Sequence, residues 1–298
     1  MSIQDITILI TSFKSDEKIK DCLNSIDNKC KVLLIENSND IEFKKEIEKD
    51  FTNVECILTG ENFGYGRANN IGLKKVKSKY ALILNPDTFL ESSTLNEFFK
   101  IITSIGSFAI IGPYIQEQNI KKNDINNITS TNIDGELHKK AKPLINLNLK
   151  LVENVKGFAM FLNLSEFSEI GFFDENFFIY FEEIDLCRRV IKANKKIYLA
   201  PNIKINHSGG QSHNKEINNE MELSRNWHWM WSTFYYHRKY EGFFSAFIKI
   251  FGKLISSILK FLFYFILFNK RKRKIYYQRF SGLINAIVGN DSWYRPKV

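Results

Sequence analysis

Short runs of strand-forming residues recur along the first 112 residues and alternate with segments of helical periodicity. Examples are ITILI at residues 6–10, VLLI at 32–35 and YALIL at 80–84, which consist mainly of β-branched, leucine and aromatic side chains. A βαβα order requires crossover connections between parallel strands. The pattern therefore predicts an α/β domain with a mostly parallel sheet flanked by helices.

Polar side chains follow three of these strands at the point where each strand ends. They are Thr11 and Ser12 after the first, Glu36 and Asn37 after the second, and Asn85 and Asp87 after the strand at 80–84. The carboxyl ends of parallel strands meet at one edge of a sheet, and open α/β sheets bind their ligands there. Polar residues at the ends of three strands therefore predict a nucleotide site at this edge.

The pattern changes after residue 112. Residues 114–150 are rich in Asn, Lys and Ile, and we interpret them as loop or short hairpins. Alternation within 155–163 predicts a strand, FFIYFEEIDLCRR leads into a helix, and KIYLAP predicts a short strand that ends at Pro201. We expect a main domain over residues 1–240 and a tail over residues 241–298.

The net charge of +9 is concentrated near the end of the chain. Residues 238–298 hold 13 Lys and Arg against Glu241 and Asp291, which leaves a net charge of −2 for all preceding residues. A basic tail on a nearly neutral domain indicates an anionic partner, either nucleic acid or the inner leaflet of a membrane.

Residues 243–274 favour the membrane. Lysines and serines at helical spacing form one narrow arc, apolar residues occupy the rest, and FLFYFILF at 261–268 carries no charge. The apolar run from residue 254 to 268 includes Lys260 and is shorter than the roughly 20 residues that span a bilayer. We predict an amphipathic helix in the membrane interface, with KRKRK at 270–274 against anionic headgroups. A helix packed on the main domain is the alternative, and the tail lacks a nucleic-acid motif.

The start of the chain and its cysteines bear on the compartment. Met1 is followed almost directly by a strand, without a basic and apolar leader, so we expect a cytoplasmic protein that is peripheral on the inner face of the membrane. The four cysteines show no CxxC pair and no metal-ligand spacing, which favours buried thiols.

Several residues have the chemistry of a ligand or catalytic site. Gly64 permits a tight turn before a helix that begins near Arg67, although GxGxxG spacing is absent. Asp87 and His207 are candidate metal ligands, because Mg²⁺ and Mn²⁺ are held by few carboxylates together with substrate phosphates. Acids also favour a first helical turn, so the cluster of Glu182, Glu183 and Asp185 has both a structural and a catalytic interpretation.

Seven motifs in this order resemble the family-2 glycosyltransferases of the GT-A fold, especially the bacterial rhamnosyltransferase-like branch. They are TSFK, LIENS, ENFGYGRANNIGL, LNPD, VKGFAMFLN, GFFDENFFIYFEEIDLCRR and HSGGQS, and the resemblance covers roughly residues 5–235. The resemblance implies a nucleotide-diphospho-sugar transferase with a Rossmann-like sheet.

The resemblance also implies roles for individual residues. On the donor side it places Thr11, Ser12, Glu36, Asn37, Asn62, Gly64, Arg67 and Asn85, with Gly157 and Phe158 on the acceptor side of the cleft. Asp87 matches the last acid of the DXD-type metal motif, and His207 matches a histidine that closes the metal and diphosphate site. The family usually has aspartate at the positions of Glu36 and of Asn85.

The second acid of the family's ED pair falls on Glu183, which the resemblance makes the general base, with Glu182 beside it. Asp185 would orient the helix or the acceptor. The implied reaction is metal-dependent and inverting, with Mg²⁺ or Mn²⁺, and transfers rhamnose from a deoxythymidine diphosphate donor to a saccharide acceptor on a lipid carrier.

Two other readings stay open at the level of sequence, a different donor and a non-catalytic protein, whereas two further enzyme classes lack their motif. A uridine diphosphate sugar is the second candidate donor, since the pocket residues do not discriminate between the two. A non-catalytic sugar-binding or lipid-binding protein of the same fold would explain the departures at Asn85 and Glu183. A nucleotidyltransferase or a nicotinamide oxidoreductase would need a glycine-rich loop after the first strand, where this chain has TSFKS.

Overall fold

The computed structural model describes residues 2–117, 149–207 and 215–297, over which the chain forms nine strands and eight α-helices. The strands are β1 (Ile6–Ser12), β2 (Lys31–Glu36), β3 (Val54–Leu58), β4 (Tyr80–Leu84), β5 (Thr88–Leu90), β6 (Ile110–Glu117), β7 (Lys150–Leu151), β8 (Ala159–Asn163) and β9 (Ile197–His207). The helices are α1 (Asp16–Asn24), α2 (Ile41–Asp50), α3 (Tyr65–Leu73), α4 (Thr94–Ser104), α5 (Glu182–Lys192), α6 (Asn218–Glu241), α7 (Phe243–Ile266) and α8 (Lys270–Ile287).

The chain forms two compact units, which we call the sheet unit and the helical unit. The sheet unit comprises Met1–Glu61, Ala68–Phe172 and Leu186–His213, and the helical unit comprises Asn62–Arg67, Phe173–Asp185 and Asn214–Val298. Helices α3 and α5 therefore contribute residues to both units.

One mixed sheet organises the sheet unit, in the strand order β3-β2-β1-β4-β8-β6-β9-β5, with β7 beside β9. The first four strands pair in parallel, as their sequence predicts. Antiparallel pairs enter with β8, which lies between β4 and β6, and with β5 and β7 against β9. In the register of β1 and β2, Ser12 lies opposite Glu36, so the polar strand ends are side by side.

Apolar burial explains why the sheet forms. Every residue of β4 and β8 is buried, and helices cover the faces with side chains such as Ile19 and Phe98. Phe98 stacks on Phe161 of β8 with ring centroids 4.6 Å apart, and Tyr80 of β4 stacks on Phe161 at 5.4 Å. These stacked rings join α4 to the two central strands.

The end of β9 is a correction to the sequence prediction. KIYLAP was expected to stop at Pro201, but β9 continues to His207. The pairing of β6 with β9 shifts register between Pro113 and Tyr114, where Pro113 lies opposite Ala200 and Tyr114 opposite Lys204. An irregular step of this kind accommodates a proline, which cannot donate a ladder hydrogen bond. Residues 118–148 of the predicted loop, and Ser212 in HSGGQS, lie outside the described residues.

The helical unit has its own apolar core between α6, α7 and α8. Its buried members are Trp227, Met230, Trp231, Phe234, Ala246, Ile250, Leu283 and Ala286. Buried indoles keep their polar atoms paired here: Trp227 Nε1 donates to Ser281 Oγ at 3.2 Å, and Trp231 Nε1 donates to the Asn290 carbonyl at 2.9 Å. The tail is helical, as predicted from its periodicity.

The opposite side of α7 carries an exposed row of apolar side chains. Its members are Phe244, Ile248, Phe251, Ile255, Leu259, Leu262 and Ile266, which are between 40% and 82% exposed. Their spacing of three or four residues places them on one stripe along the helix. In the described parts of the chain, no helix has the length and hydropathy needed to cross a bilayer.

Two helical glycines of this unit offer a matched stability test. A Cβ on Gly282 would lie 2.3 Å from the Trp227 carbonyl oxygen, whereas a Cβ on Gly252 would meet nothing within 4 Å. We expect Gly282→Ala to lower the free energy of unfolding by about 1–3 kcal/mol because α6 and α8 must separate. Gly252→Ala should raise it by up to about 1 kcal/mol through helix propensity.

Denaturant unfolding followed by tryptophan fluorescence measures both effects. All four tryptophans lie in the helical unit, so the signal reports on that unit. Equal shifts of the two variants in the same direction would contradict the close approach of α6 to α8.

Candidate active site

The ends of β1 and β2 form a polar cluster at one edge of the sheet unit. The Glu36 carboxylate is buried and accepts hydrogen bonds from Ser12 Oγ and from Ser38 Oγ, the latter at 2.7 Å. The backbone N–H of Asn37 donates to the Ser12 carbonyl at 2.8 Å. Two hydroxyl donors compensate for burial of the charge, so Glu36 fixes the geometry of this strand edge.

Thr11 is the residue of this cluster with unused hydrogen-bonding capacity. Its side chain is buried, and its hydroxyl makes no hydrogen bond within the described residues. A buried hydroxyl without a partner is costly, and it marks a position where a ligand can supply the missing partner. The neighbouring Asn37 is already contacted by Thr59 Oγ1 at 3.3 Å.

Asp87 and His207 meet at the same edge, beyond β4 and at the end of β9. Asp87 is fully buried, and His207 Nε2 lies 3.3 Å from Asp87 Oδ1. Neither ring nitrogen of His207 forms a hydrogen bond with the described residues. The structure thus brings together the two residues predicted as metal ligands, although they are distant in sequence. The described residues contain no group of three or more His, Cys, Asp or Glu side chains arranged as a metal site.

Three further contacts hold this turn in place. The Asn85 N–H donates to the Phe158 carbonyl at 2.8 Å, and the Phe158 ring lies 5.0 Å from the His207 ring. The thiol of Cys22 lies 3.7 Å from Thr88 Oγ1, and burial raises its pKa to about 12. Cys22 is therefore a neutral packing group beneath the Asp87 turn, a role that the sequence alone did not indicate. Gly157 precedes Phe158 on the way into β8.

The helical unit holds the acidic segment. Tyr180 and Phe181, directly before α5, both have φ of +71°, a left-handed conformation that is unfavourable for aromatic residues. Trp229 of α6 contacts both rings, with centroids 5.2 and 5.6 Å away. Ser232 Oγ donates to the Ile179 carbonyl at 3.0 Å. Packing against α6 thus stabilises a strained turn directly ahead of the acids.

Glu182 and Glu183 differ in burial. Glu182 is 5% exposed and its Oε2 has no hydrogen-bond partner in the described structure, whereas Glu183 is half-buried. Burial raises the pKa of Glu182 well above its ordinary value, and the charge of Glu183 raises it further. Glu182 therefore favours the neutral acid, which is unsuited to act as a base.

Asp185 anchors the first turn of α5. Its fully buried carboxylate accepts hydrogen bonds from the Lys239 ammonium and from Tyr240 Oη at 2.7 Å. Lys239 also lies 2.8 Å from Asp174, which Tyr235 Oη contacts at 3.0 Å. This network ties α6 to both sides of the acidic segment, which agrees with an orienting role for Asp185.

The loop 62–67 is also part of the helical unit. Gly64 has φ of +80°, and a Cβ there would lie 2.1 Å from the Phe178 carbonyl oxygen, so glycine is required. The Arg67 guanidinium lies 3.9 Å from the Phe63 ring centre, and its Nε lies 3.6 Å from the Glu175 carboxylate. Asn62 accepts a hydrogen bond on its carbonyl from Arg295 Nε at 3.0 Å.

The predicted residues therefore fall into two groups. The sheet unit contains Thr11, Ser12, Glu36, Asn37, Asn85, Asp87, Gly157, Phe158 and His207, and the helical unit contains Asn62, Gly64, Arg67, Glu182, Glu183 and Asp185. Sequence reasoning did not indicate Lys239, His228 or Arg295, which support the second group from remote positions. Lys239 and His228 lie within a helix without a recognisable motif, so no sequence signal singled them out.

Comparison with known proteins identifies the family. The model of glycosyl transferase family 2 matches residues 7–186, which is more than half of the chain. The chain belongs to this family. The family expected from the seven motifs is thereby confirmed.

Individual relatives support the same assignment at a distance. The low-salt glycan biosynthesis hexosyltransferase Agl10 of Haloferax volcanii is 30% identical over 205 residues, which cover 65% of this chain and 64% of that protein. The rhamnosyltransferase WbbL of Escherichia coli is 24% identical over 214 residues, or 66% of this chain and 80% of that protein. The match thus spans just under two thirds of the hexosyltransferase.

A solved structure shows the fold. The mannosyltransferase PcManGT from Pyrobaculum calidifontis, in complex with GDP-Man and Mn²⁺, aligns with a TM-score of 0.54 at 11% identity, over 96% of this chain and 86% of that one. This similarity confirms the predicted GT-A fold.

The pH dependence of stability tests the packing around the acidic segment. His228 is fully buried, stacks on Phe178 at 4.3 Å, and donates from Nε2 to the Tyr294 carbonyl at 2.7 Å. Burial, with the nearby Arg295 charge, lowers its pKa to about 3. Below about pH 6.5 the unfolded chain binds a proton that the folded chain does not, so folding stability falls with pH until about pH 3.

We expect this histidine to lower the free energy of unfolding by about 2 kcal/mol between pH 7.5 and pH 5, and His228→Gln to lack that component. Denaturant titrations at several pH values, followed by tryptophan fluorescence, measure the difference between the two proteins. Parallel pH profiles would show that His228 titrates normally in the folded state.

Proposed function

We propose that the chain is an inverting, metal-dependent glycosyltransferase that uses a nucleotide-sugar donor in glycan biosynthesis, with rhamnose from deoxythymidine diphosphate rhamnose as the first candidate. The observation that carries the proposal is the buried Asp87 carboxylate with His207 Nε2 at 3.3 Å, at the sheet edge that also holds Thr11 and Glu36. The family assignment and the rhamnosyltransferase name of one relative support it.

A divalent metal suits the donor set of this edge. Asp87 offers a buried carboxylate and His207 an imidazole without a hydrogen bond to the described residues, a combination that Mn²⁺ and Mg²⁺ accept together with substrate phosphates. When bound, such an ion offsets negative charge on a departing diphosphate. Asp87 and His207 would hold it.

The donor would be recognised by the strand ends and by the loop 62–67. The unpartnered Thr11 hydroxyl, with Ser12, Glu36 and Asn37, is proposed to line the base and ribose pocket. Asn62, Gly64, Arg67 and Asn85 are proposed to lie beside the sugar diphosphate, with Gly157 and Phe158 towards the acceptor. Arg67 must exchange part of its contact with Phe63 and Glu175 to reach a phosphate.

Glu183 is the proposed general base. Its carboxylate takes the proton from an acceptor hydroxyl while that oxygen attacks the anomeric carbon and the bond from that carbon to the diphosphate oxygen breaks, which inverts the anomeric centre. Burial raises the pKa of the adjacent Glu182 well above its ordinary value, which makes Glu182 the less suitable base of the two. Asp185, through Lys239 and Tyr240, positions the turn of α5 that carries both glutamates.

The exposed row of α7 supports a membrane-bound acceptor. Seven apolar side chains on one stripe form a surface larger than solvated helices usually expose, and the basic run at 270–274 follows on α8. We propose that residues 243–274 lie on an anionic inner-leaflet surface and keep a main domain of residues 1–240 near a saccharide on a lipid carrier. Nucleic acid has no place in this proposal.

Substitution of the two glutamates tests the base. Glu183→Gln should retain donor binding and lose roughly 10²- to 10⁴-fold in transfer rate, the range that general-base catalysis contributes. Glu182→Gln is the matched control, because glutamine imitates the neutral acid, and it should stay within tenfold of the unsubstituted chain. Single-turnover transfer rates measure both variants. Normal transfer by Glu183→Gln together with a dead Glu182→Gln would reverse the assignment.

Turnover of a donor panel tests the function itself. We expect one nucleoside diphosphate to be released from among thymidine, uridine and guanosine diphosphate sugars, only with Mg²⁺ or Mn²⁺, and release to fall at least 100-fold in Asp87→Asn. Asp27→Asn makes the same chemical change at an exposed turn of the sheet unit and should leave release unchanged.

The panel also separates the alternatives. Turnover of a uridine diphosphate sugar would correct the donor while keeping the mechanism. Absence of both turnover and metal-dependent nucleotide binding would favour a non-catalytic binding protein of the same fold.

A further inference from the structure

A pocket of about 330 Å³ lies within the helical unit, between α6, α7, α8 and the chain that follows α8. Three cationic side chains line it, from Arg273, Lys274 and Lys297, while Leu223 and Phe261 supply apolar wall. Its volume falls at the lower end of the range of small-ligand pockets. A site with both a basic and an apolar wall suits an amphipathic anion.

The structure divides the basic run at 270–274 into different roles. Arg271 makes a two-pronged ion pair with Glu222, with N···O distances of 3.0 and 3.1 Å, and Lys272 lies 4.9 Å from the Tyr264 ring centre. Arg273 and Lys274 instead line the pocket. The contacts of Arg271 and Lys272 are structural. Arg273 and Lys274 are therefore the cations of this run that the pocket offers to a ligand.

The charges in the pocket are not balanced from within. No carboxylate in the described parts of the chain lies within 4.0 Å of the charged nitrogens of Arg273, Lys274 or Lys297. Among the described residues that line the pocket, Glu220 is the one acid against three cations, and the Lys297 backbone N–H lies 3.5 Å from its carboxylate. Converging like charges repel one another, and an anion between them relieves that repulsion.

The surroundings of the pocket indicate a lipid as the source of the anion. The Arg273 guanidinium lies 5.3 Å from the ring centre of Phe265, which is 54% exposed, and Phe261 packs against the half-exposed ring of Tyr277 at 6.1 Å. Phe268, at the turn between α7 and α8, is 87% exposed. The basic wall is thus continuous with exposed aromatic surface, which a soluble phosphate does not need and a membrane interface does.

We propose that this pocket binds the phosphate of an anionic membrane lipid, with the phosphate among Arg273, Lys274 and Lys297 and the adjoining carbons against Phe261 and Leu223. The inference rests on the proposed membrane contact and deepens it. The proposed membrane contact needs only general attraction between basic residues and an anionic surface. The pocket adds one site that selects a phosphate-bearing headgroup.

Two double variants distinguish a specific lipid site from general electrostatic attraction of the basic run to an anionic membrane. Lys274→Gln with Lys297→Gln removes two charges that line the pocket, and Lys270→Gln with Lys272→Gln removes two from the same helix turn outside the lining. Binding of the full chain is measured by flotation with phosphatidylcholine vesicles, with and without phosphatidylglycerol. We expect the pocket variant to lose at least tenfold more of the phosphatidylglycerol-dependent affinity than the control. Equal losses would overturn the proposal.

A variant that leaves the charge unchanged and a soluble phosphate compound provide two further tests of the lipid site. Gln278→Trp fills the lining without changing charge and should also lower phosphatidylglycerol-dependent binding, with folding checked by circular dichroism. Binding of inorganic pyrophosphate, a soluble phosphate compound, is measured by calorimetry. If pyrophosphate binding depends on Lys274 and Lys297 while phosphatidylglycerol gives no excess binding, the ligand is a soluble phosphate and the lipid assignment is wrong.

Failure of this inference is distinguishable from failure of the proposed function. Release of nucleoside diphosphate by the unsubstituted chain without vesicles reports on the transferase alone. If nucleoside diphosphate is released and both double variants lose vesicle binding equally, the lipid site is wrong and the transferase stands. If no nucleoside diphosphate is released but the pocket variant loses more vesicle binding than the control, the transferase is wrong and the lipid site stands.

Discussion

The parallel pairing of β1 with both β2 and β4 is the constraint on which the rest of the sheet unit depends. It places three strand ends at one edge, in a register that sets Ser12 opposite Glu36. The later strand β9 runs parallel to β6 and delivers His207 to that edge beside Asp87. The Glu36 carboxylate can be buried there because the hydroxyls of Ser12 and Ser38 donate hydrogen bonds to it.

The acidic segment depends on a different constraint, the packing and hydrogen bonding of α6 against residues 173–185. Two consecutive aromatic residues in the left-handed region cost on the order of 1–3 kcal/mol each. Ring contacts from Trp229 and the ion pair of Lys239 with the buried Asp185 carboxylate offset that cost. Breaking the ion pair would remove the Lys239 cation from a buried carboxylate, which is costly, so this arrangement favours one orientation of α5 over alternatives.

The sequence predicted the features that depend on local pattern. Strands β1, β2 and β4 include the runs at 6–10, 32–35 and 80–84, helices lie between them, and the strand ends carry the polar groups that were singled out. It did not predict the continuation of β9 through Pro201, because the compensating register shift belongs to a partner strand about 85 residues earlier. Lys239 and Arg295 were missed for the same reason, since their partners are 54 and 233 residues away. The roles of Glu183 and Arg67 depend on substrates and stay predictions.

The contact of Arg295 with Asn62 and with the Phe178 ring has a consequence for the order of events during synthesis. Strands β1 to β4 can pair once residue 84 has emerged from the ribosome, but the helical unit is assembled from three separated pieces of chain. At about 5–20 residues per second, the loop around Gly64 waits roughly 10–50 seconds for Arg295 to be made. A nascent chain would therefore carry paired parallel strands early, whereas the loop 62–67 gains its contact with Arg295 only when synthesis of the chain is almost finished.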